Sequence, residues 1–234
     1  MFVSDRMSVP AVTIKPNTPF QEALNLMRER QFRRLPVVNE RGELVGIVSE
    51  RDLLYASPSP ATSLSIWELN YLLSKLHVKE LMTEDVITTT PDTFIEDAAR
   101  LMAENKIGGL PVIDEQQHVV GVITETDVFR TFAQMYSADH SGLRLTISVP
   151  DKKGALAELS NAIFDLGGSI VSVITLHDDK TNDYVLIVKV EDVDKDQLVD
   201  TLESLGDHVI NAHEVLRGDG TQPSFEPLDL KPVH

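Results

Sequence analysis

Two short segments hold residues whose types and spacing could do chemistry. Gly46-Ile-Val-Ser-Glu-Arg-Asp52 and Gly121-Val-Ile-Thr-Glu-Thr-Asp127 each place a hydroxyl three residues before a carboxylate. Where such a pair opens a helix, the free N–H groups of the first turn attract phosphate. The hydroxyl and N–H groups can hold phosphate oxygens, and a carboxylate, an acceptor only, can take both hydroxyls of a ribose. The same pattern also serves as a helix cap in which Asp replaces Glu. Either copy alone fits both readings, and recurrence in the two copies favours ligand binding. Arg33-Arg34 stand just before Leu35-Pro36, whereas the corresponding residues of the second copy are Gly108-Gly109. A guanidinium suits a bidentate grip on phosphate, and the alternative is a solvated surface pair.

These segments recur because the chain repeats itself. Met7 matches Met82, Pro16 matches Pro91, Pro36 matches Pro111, Gly46 matches Gly121 and Asp52 matches Asp127, each at an offset of 75 (82 − 7, 127 − 52). A constant offset without insertion marks two copies of one supersecondary unit. In each copy Thr18-Pro19-Phe20-Gln21 or Thr93-Phe94-Ile95-Glu96 reads as a capping box that starts a helix. Phe20, Ala23, Leu24 and Met27, like Ile95, Ala98, Ala99 and Met102, give that helix an apolar stripe. Two short apolar runs follow as paired strands, then a second helix at Ser49 or Thr124. The order is strand, helix, strand, strand, helix, too small to bury its sheet except as a pair. Between the copies, an insert containing Trp67 and Tyr71 has apolar residues at helical spacing. It reads either as packing onto the repeats or as a flap beside a ligand cleft.

From Leu143 the periodicity changes. Leu143, Leu145, Ile147 and Val149 alternate as a half-buried strand, and Pro150-Asp-Lys-Lys-Gly154 turns into a helix striped by Leu156, Leu159, Ile163 and Leu166. Gly167-Gly168 ends it. Strand-like runs at 170–176 and 184–190, a helix with Leu198, Leu202 and Leu205, and a strand at 209–215 complete a βαββαβ, ferredoxin-like order. The class is therefore α/β (α+β), with exposed N–H groups near Gly154 that could receive a carboxylate.

Composition narrows the function. Cysteine is absent, which excludes disulfides, thiolate nucleophiles, iron–sulfur clusters and cysteine zinc sites, and the seven scattered histidines lack the spacing of a metal-binding helix face. No metal is expected. The net charge of −16 argues against a nucleic-acid surface. Its split is uneven: residues 1–75 hold 9 basic and 8 acidic side chains, residues 76–234 hold 12 and 29, so an anionic ligand belongs with the first segment. With no secretory h-region and no membrane-length apolar run, the expectation is a cytoplasmic protein without a membrane partner. No G-x-S-x-G, P-loop, H-E-x-x-H or dinucleotide fingerprint occurs, so no catalytic residue and no catalytic cofactor are expected.

The tandem Gly-apolar-apolar-Ser/Thr-x-x-Asp segments, each after a Leu-Pro-Val strand, resemble the CBS domain family, whose pairs form a Bateman module, over residues 3–135. That resemblance implies an adenine nucleotide (AMP, ADP or ATP) or S-adenosylmethionine as regulatory ligand. It puts Asp52 and Asp127 on ribose, Ser49 and Thr124 on phosphate with Arg33 and Arg34, and base recognition around Thr13 and Thr88. Val149-Pro-Asp-Lys-Lys-Gly-Ala-Leu156 resembles the ACT signature over residues 142–216. By that likeness, Asp151, Lys153, Gly154, Ala155 and Leu156, with Ser169 at the second strand, would bind an amino acid or other small effector; Ser169 stands where amino-acid-binding relatives often carry Asn, so pure dimerisation is the equal alternative. Nearly the whole chain, insert included, is similar to AcuB-type acetoin utilisation proteins. The domains expected are residues 1–78 for the first CBS repeat with its insert (55–78), 79–138 for the second, 142–216 for ACT and 217–234 for a flexible tail. The function implied is a non-catalytic, homodimeric allosteric sensor that regulates an unknown partner protein. The alternatives are a scaffold with empty clefts or an enzyme of unknown type.

Overall fold

The computed structural model describes residues 1–56, 75–178 and 183–216, and the chain divides into two units, Met1–Arg130 and Thr131–His234. The expectations for the inter-repeat insert and for the tail lie outside the described residues.

In the first unit, repeat one consists of α1 (Phe20–Arg30), β1 (Arg34–Val38), β2 (Leu44–Ser49) and α2 (Glu50–Ala56). Repeat two consists of α3 (Ile95–Asn105), β3 (Gly109–Ile113), β4 (Val119–Thr124) and α4 (Glu125–Met135). The hairpins share one register: Arg34 faces Ser49 and Val38 faces Leu44, just as Gly109 faces Thr124 and Ile113 faces Val119. The expected opening strand of each repeat contracts to a single parallel bridge, Ile14 with Val37 and Thr89 with Val112. The helix stripes do what their periodicity requires. Phe20, Ala23, Leu24 and Met27 are buried in one core, and Ile95, Ala98 and Met102 in the other.

Each core is closed by a segment from the other repeat. Val3 is fully buried against Ile95, Ala98 and Leu110, while Val78 is fully buried among Phe20, Leu24 and Leu35. The backbone follows the same exchange. Ser8 and Val122 trade N–H···O bonds of 2.9 and 3.2 Å, and Thr83 and Ile47 trade two of 2.9 Å. The exchange also corrects the capping boxes expected at Thr18 and Thr93. The helices begin one residue later, after Pro19 and Phe94, with no side-chain cap. Thr18 Oγ1 instead accepts the Lys15 N–H at 3.1 Å, one turn upstream, and Thr93 pairs with Thr90. Each helix's first N–H goes to a carbonyl of the exchanged segment, Phe20 to Leu76 O at 2.9 Å and Ile95 to Met1 O at 3.1 Å.

The second unit holds β5 (Gly142–Val149), α5 (Ala155–Asp165), β6 (Ser169–Asp178), β7 (Asp183–Glu191), α6 (Lys195–Ser204) and β8 (His208–Val215). The sheet order is β6-β7-β5-β8 with every pairing antiparallel, the ferredoxin-like arrangement expected. Leu143, Leu145, Ile147 and Val149 pack against Leu159, Ile163, Leu198 and Leu202. Leu156 is the exception to its stripe and lies 48% exposed. Gly167, at φ +80°, breaks α5, and the Gly168 N–H returns to Ile163 O at 2.9 Å.

Gly121 shows how tightly the exchanged arm seats: a Cβ there would lie 2.6 Å from Met7 Sδ and 3.1 Å from Ser8 O. Gly121→Val should lower stability by about 1–3 kcal/mol, the usual cost of overpacking. Chemical denaturation measures it, and an unchanged midpoint would mean that residues 7 and 8 do not press on β4.

Candidate functional site

The Ser/Thr–Asp pairs form the same closed unit twice. At α4, Asp127 Oδ2 accepts from Thr124 N at 2.9 Å and Thr124 Oγ1 at 2.6 Å, while Asp127 N donates to Thr124 Oγ1 at 3.4 Å. At α2, Asp52 Oδ2 accepts from Ser49 N at 2.8 Å and Ser49 Oγ at 2.6 Å, and Asp52 N donates to Ser49 Oγ at 3.2 Å. This is a reciprocal cap with Asp doing the work of Glu. Two further N–H groups are committed as well, Glu125 to Gly108 O at 3.2 Å and Glu50 to Arg33 O at 2.9 Å. In this arrangement the helix starts are largely satisfied from within, and each hydroxyl spends its proton on its own Asp. Thr124 and Ser49 thus orient a carboxylate, and the donors for an anion must come from elsewhere.

Two guanidinium groups stand in the facing repeat and a third on α4 itself. A cleft of about 370 Å3 is lined on one side by Thr124, Glu125, Asp127 and Arg130, and on the other by Phe32, Arg33 and Arg34, with Pro10, Ala11 and Val12 along its wall. Its volume falls in the range of small-molecule sites. Of the expected residues, Arg33, Arg34, Thr124 and Asp127 meet here. Ser49 and Asp52 make the equivalent pair at α2. Thr13 and Thr88 are half-buried and are not among the residues lining this cleft; the stretch just before Thr13 is. Arg130 and Glu125 were not singled out from the sequence. Arg130 sits three residues after Asp127, on the same helix face, with Nη1 4.0 Å from Asp127 Oδ1, so helical spacing carried that signal.

Arg34 has a second role. Its Nη1 donates to Gly109 O at 3.1 Å, across from one repeat to the other. A Cβ on Gly108 would lie 2.7 Å from Arg34 Nη2 and 2.8 Å from Glu125 Oε2, and a Cβ on Gly109 would lie 2.8 Å from Arg34 Nη1. The two glycines therefore vacate the space that the guanidinium fills. Burial lowers the pKa of Arg34, Glu125 acts against that and Arg33 adds to it, yet a guanidinium stays charged.

In the second unit a shallow hollow of about 280 Å3 is lined by Lys152, Gly154, Ala155, Leu156, Thr175 and Tyr184 among others. It gathers Gly154, Ala155 and Leu156 of the expected effector residues, whereas Asp151 and Lys153 are exposed on the same turn and outside its lining. Ser169 is placed elsewhere, opposite Glu191 and six residues from Thr175, roughly 20 Å along the strand. The N–H of Ala155 is already given to Lys152 O at 3.3 Å, and Lys152 Nζ bonds Glu158 Oε2 at 2.6 Å. Among the described residues, no three of His, Asp and Glu gather as a metal site, and no helix is long and apolar enough to cross a membrane.

The reciprocal cap generates a prediction of its own. Thr124→Ala and Asp127→Ala should each cost about 0.5–2 kcal/mol of stability, and the double variant should cost less than their sum because both delete the same bonds. Additive losses in denaturation would mean that the two side chains do not act as one unit.

Comparison with known proteins agrees with this architecture. The CBS domain model matches residues 3–59 and 78–134, and the TTHA0829-like ACT domain model matches residues 141–213. CBSX2 of Arabidopsis thaliana, whose crystal structure is a complex with AMP, is 35% identical over 57% of this chain and 96% of that one, with a TM-score of 0.48. An acetoin utilisation protein (AcuB) of Vibrio cholerae is 29% identical over 59% of this chain and 95% of that one, with a TM-score of 0.50. L-aspartate semialdehyde sulfurtransferase of Methanocaldococcus jannaschii is 32% identical over 56% of this chain, which spans 23% of that protein. With a cross-braced pair of Ser/Thr–Asp repeats followed by a β6-β7-β5-β8 sheet, the chain belongs to the CBS domain family and carries a C-terminal ACT domain.

Proposed function

We propose that the chain is a non-catalytic sensor whose CBS pair binds an adenine nucleotide and, through its ACT domain, regulates a partner protein. The observation that carries this reading is the cleft in which Asp127, held by Thr124, faces Arg33, Arg34 and Arg130. A carboxylate offers about four acceptor positions, so capping Thr124 and accepting two ribose hydroxyls are compatible. Three guanidinium groups against two carboxylates favour a phosphate-bearing ligand such as AMP, ADP or ATP over S-adenosylmethionine. The likeness to AcuB supports a partner in acetoin utilisation, and the cytoplasm is the proposed location. The hollow beside Lys152 and Leu156 is the proposed place for a small effector. Edge strands β6 and β8 offer pairing surfaces for a homodimer.

Calorimetric titration with AMP, ATP, S-adenosylmethionine and adenosine tests the reading. Asp127→Ala should weaken AMP and adenosine alike, by about tenfold or more, given 1.5–3 kcal/mol for each charge-assisted bond. Arg33→Gln with Arg130→Gln should weaken AMP and spare adenosine, and rising salt should narrow that gap because both arginines are exposed. Arg34 is left intact because it also braces the repeats. If AMP binds no better than adenosine to the unaltered chain, the phosphate role fails; if Asp127→Ala changes neither affinity, the ribose role fails.

A further inference from the structure

Helices α1 and α3 end on the same backbone geometry, yet the side chain that follows each end goes to a different place. At α1, Gln31 takes a left-handed φ of +57° and the Phe32 N–H returns to Met27 O at 2.8 Å. At α3, Lys106 takes +54° and the Ile107 N–H returns to Met102 O at 3.0 Å. In this closure the residue after the left-handed position usually lays an apolar side chain back on the helix it ends. Ile107 does so and packs against the second core. Phe32 is its counterpart, 75 residues earlier (107 − 32), but it is 38% exposed, is not among the residues packed against the first core, and lines the cleft. A phenyl ring left outside a core forgoes much of the gain from burying it. Beside it the cleft is lined by Pro10, Ala11, Val12 and Val122, whose side chains carry no hydrogen-bonding group. The cavity that holds Asp127 and three guanidinium groups therefore also has an apolar wall with one aromatic face.

From this difference between the repeats, and resting on the nucleotide reading above, we propose that Phe32 is the stacking platform for the ligand's base and the residue that favours a purine over a pyrimidine nucleotide. A base is planar and uncharged, so neither the arginines nor Asp127 select it, and the contact left to it is the apolar wall. An aromatic side chain gains from a base through its π face and the area covered, and two fused rings cover a phenyl ring more fully than one. Ile107 has no π face and is already spent on its core, so the equivalent position of the second repeat offers no such platform. The backbone closure at Met27 holds Phe32 at the cleft whether or not its ring is covered, and removing the ring takes nothing from the first core.

Calorimetric titration of the full chain with AMP, CMP and ribose 5-phosphate, with chemical denaturation run alongside, tests the proposal. The unaltered chain should bind AMP more tightly than CMP. Phe32→Ala should weaken AMP by about fivefold to a hundredfold, the range for one base stacked on an aromatic side chain. It should also shrink the preference for AMP over CMP and leave ribose 5-phosphate, which lacks the base, unchanged. Phe32→Trp should hold AMP at least as tightly as the unaltered chain. Phe32→Ala should keep its denaturation midpoint, whereas Ile107→Ala should lower it, since only Ile107 is packed into a core. Equal losses for AMP and ribose 5-phosphate, or an AMP affinity that Phe32→Ala does not change, overturns the platform and leaves the nucleotide reading intact. A midpoint that falls in Phe32→Ala as far as in Ile107→Ala would give the ring to the core and overturns it too. Equal affinity of the unaltered chain for AMP and CMP overturns the purine preference, and failure to bind any of the three overturns the platform together with the nucleotide reading.

Discussion

Neither CBS repeat can close its own core, and the rest of the first unit depends on that constraint. A five-element unit of this size leaves its helix N-terminus and one end of its sheet uncovered. The chain covers them by lending residues 1–8 to the second repeat and residues 76–83 to the first. The loan is specific: one buried valine, one carbonyl for the helix start and one pair of backbone bonds on the edge of the hairpin in each direction. Glycine at 46 and 121 follows, since the methionines at 82 and 7 occupy the volume a side chain would need. Because each repeat completes the other's core, the two form one compact unit with the cleft between them.

The cross-bracing brings equivalent residues face to face. Arg34 and Gly109 are 75 residues apart, as are Glu43 and His118, and both pairs are in direct contact. A residue can meet its own counterpart only near the approximate twofold axis that relates the repeats. Two arginines there would compete for one space and repel, so one copy keeps the guanidinium and the other is reduced to glycine at 108 and 109. The departure from repeat symmetry is thus a packing requirement before it is a specificity device. Arg33 and Arg130 line the same cleft and do not brace the repeats through any described bond.

The features legible in the sequence were those with a local period. The 75-residue offset, the apolar stripes of α1 and α3, the alternation along β5 and the Gly167-Gly168 stop all translate directly into described elements. What escaped was set by distant partners. Thr18 and Thr93 looked like helix caps because the pattern of residues was right, but carbonyls at Leu76 and Met1 had already taken the task. Leu156 fits its stripe by spacing and is nevertheless exposed, since it sits at the first turn of α5 beside the shallow hollow. Arg33 and Arg34 were visible as a pair, yet their meeting with Asp127 depends on how the repeats face each other. Glu125 became a functional candidate only once that facing was known, whereas Arg130 stands at helical spacing from Asp127.

The double use of the Asp carboxylates shapes how the site can respond. Thr124 holds the Asp127 carboxylate through two hydrogen bonds, so its orientation is fixed by the chain itself. The two side chains together close the first turn of α4. That turn contains the only residues of α4 that both cap the helix and line the cleft. In this chain the carboxylate that caps α4 also lines the cleft, so one side chain serves the helix start and the cavity wall at once.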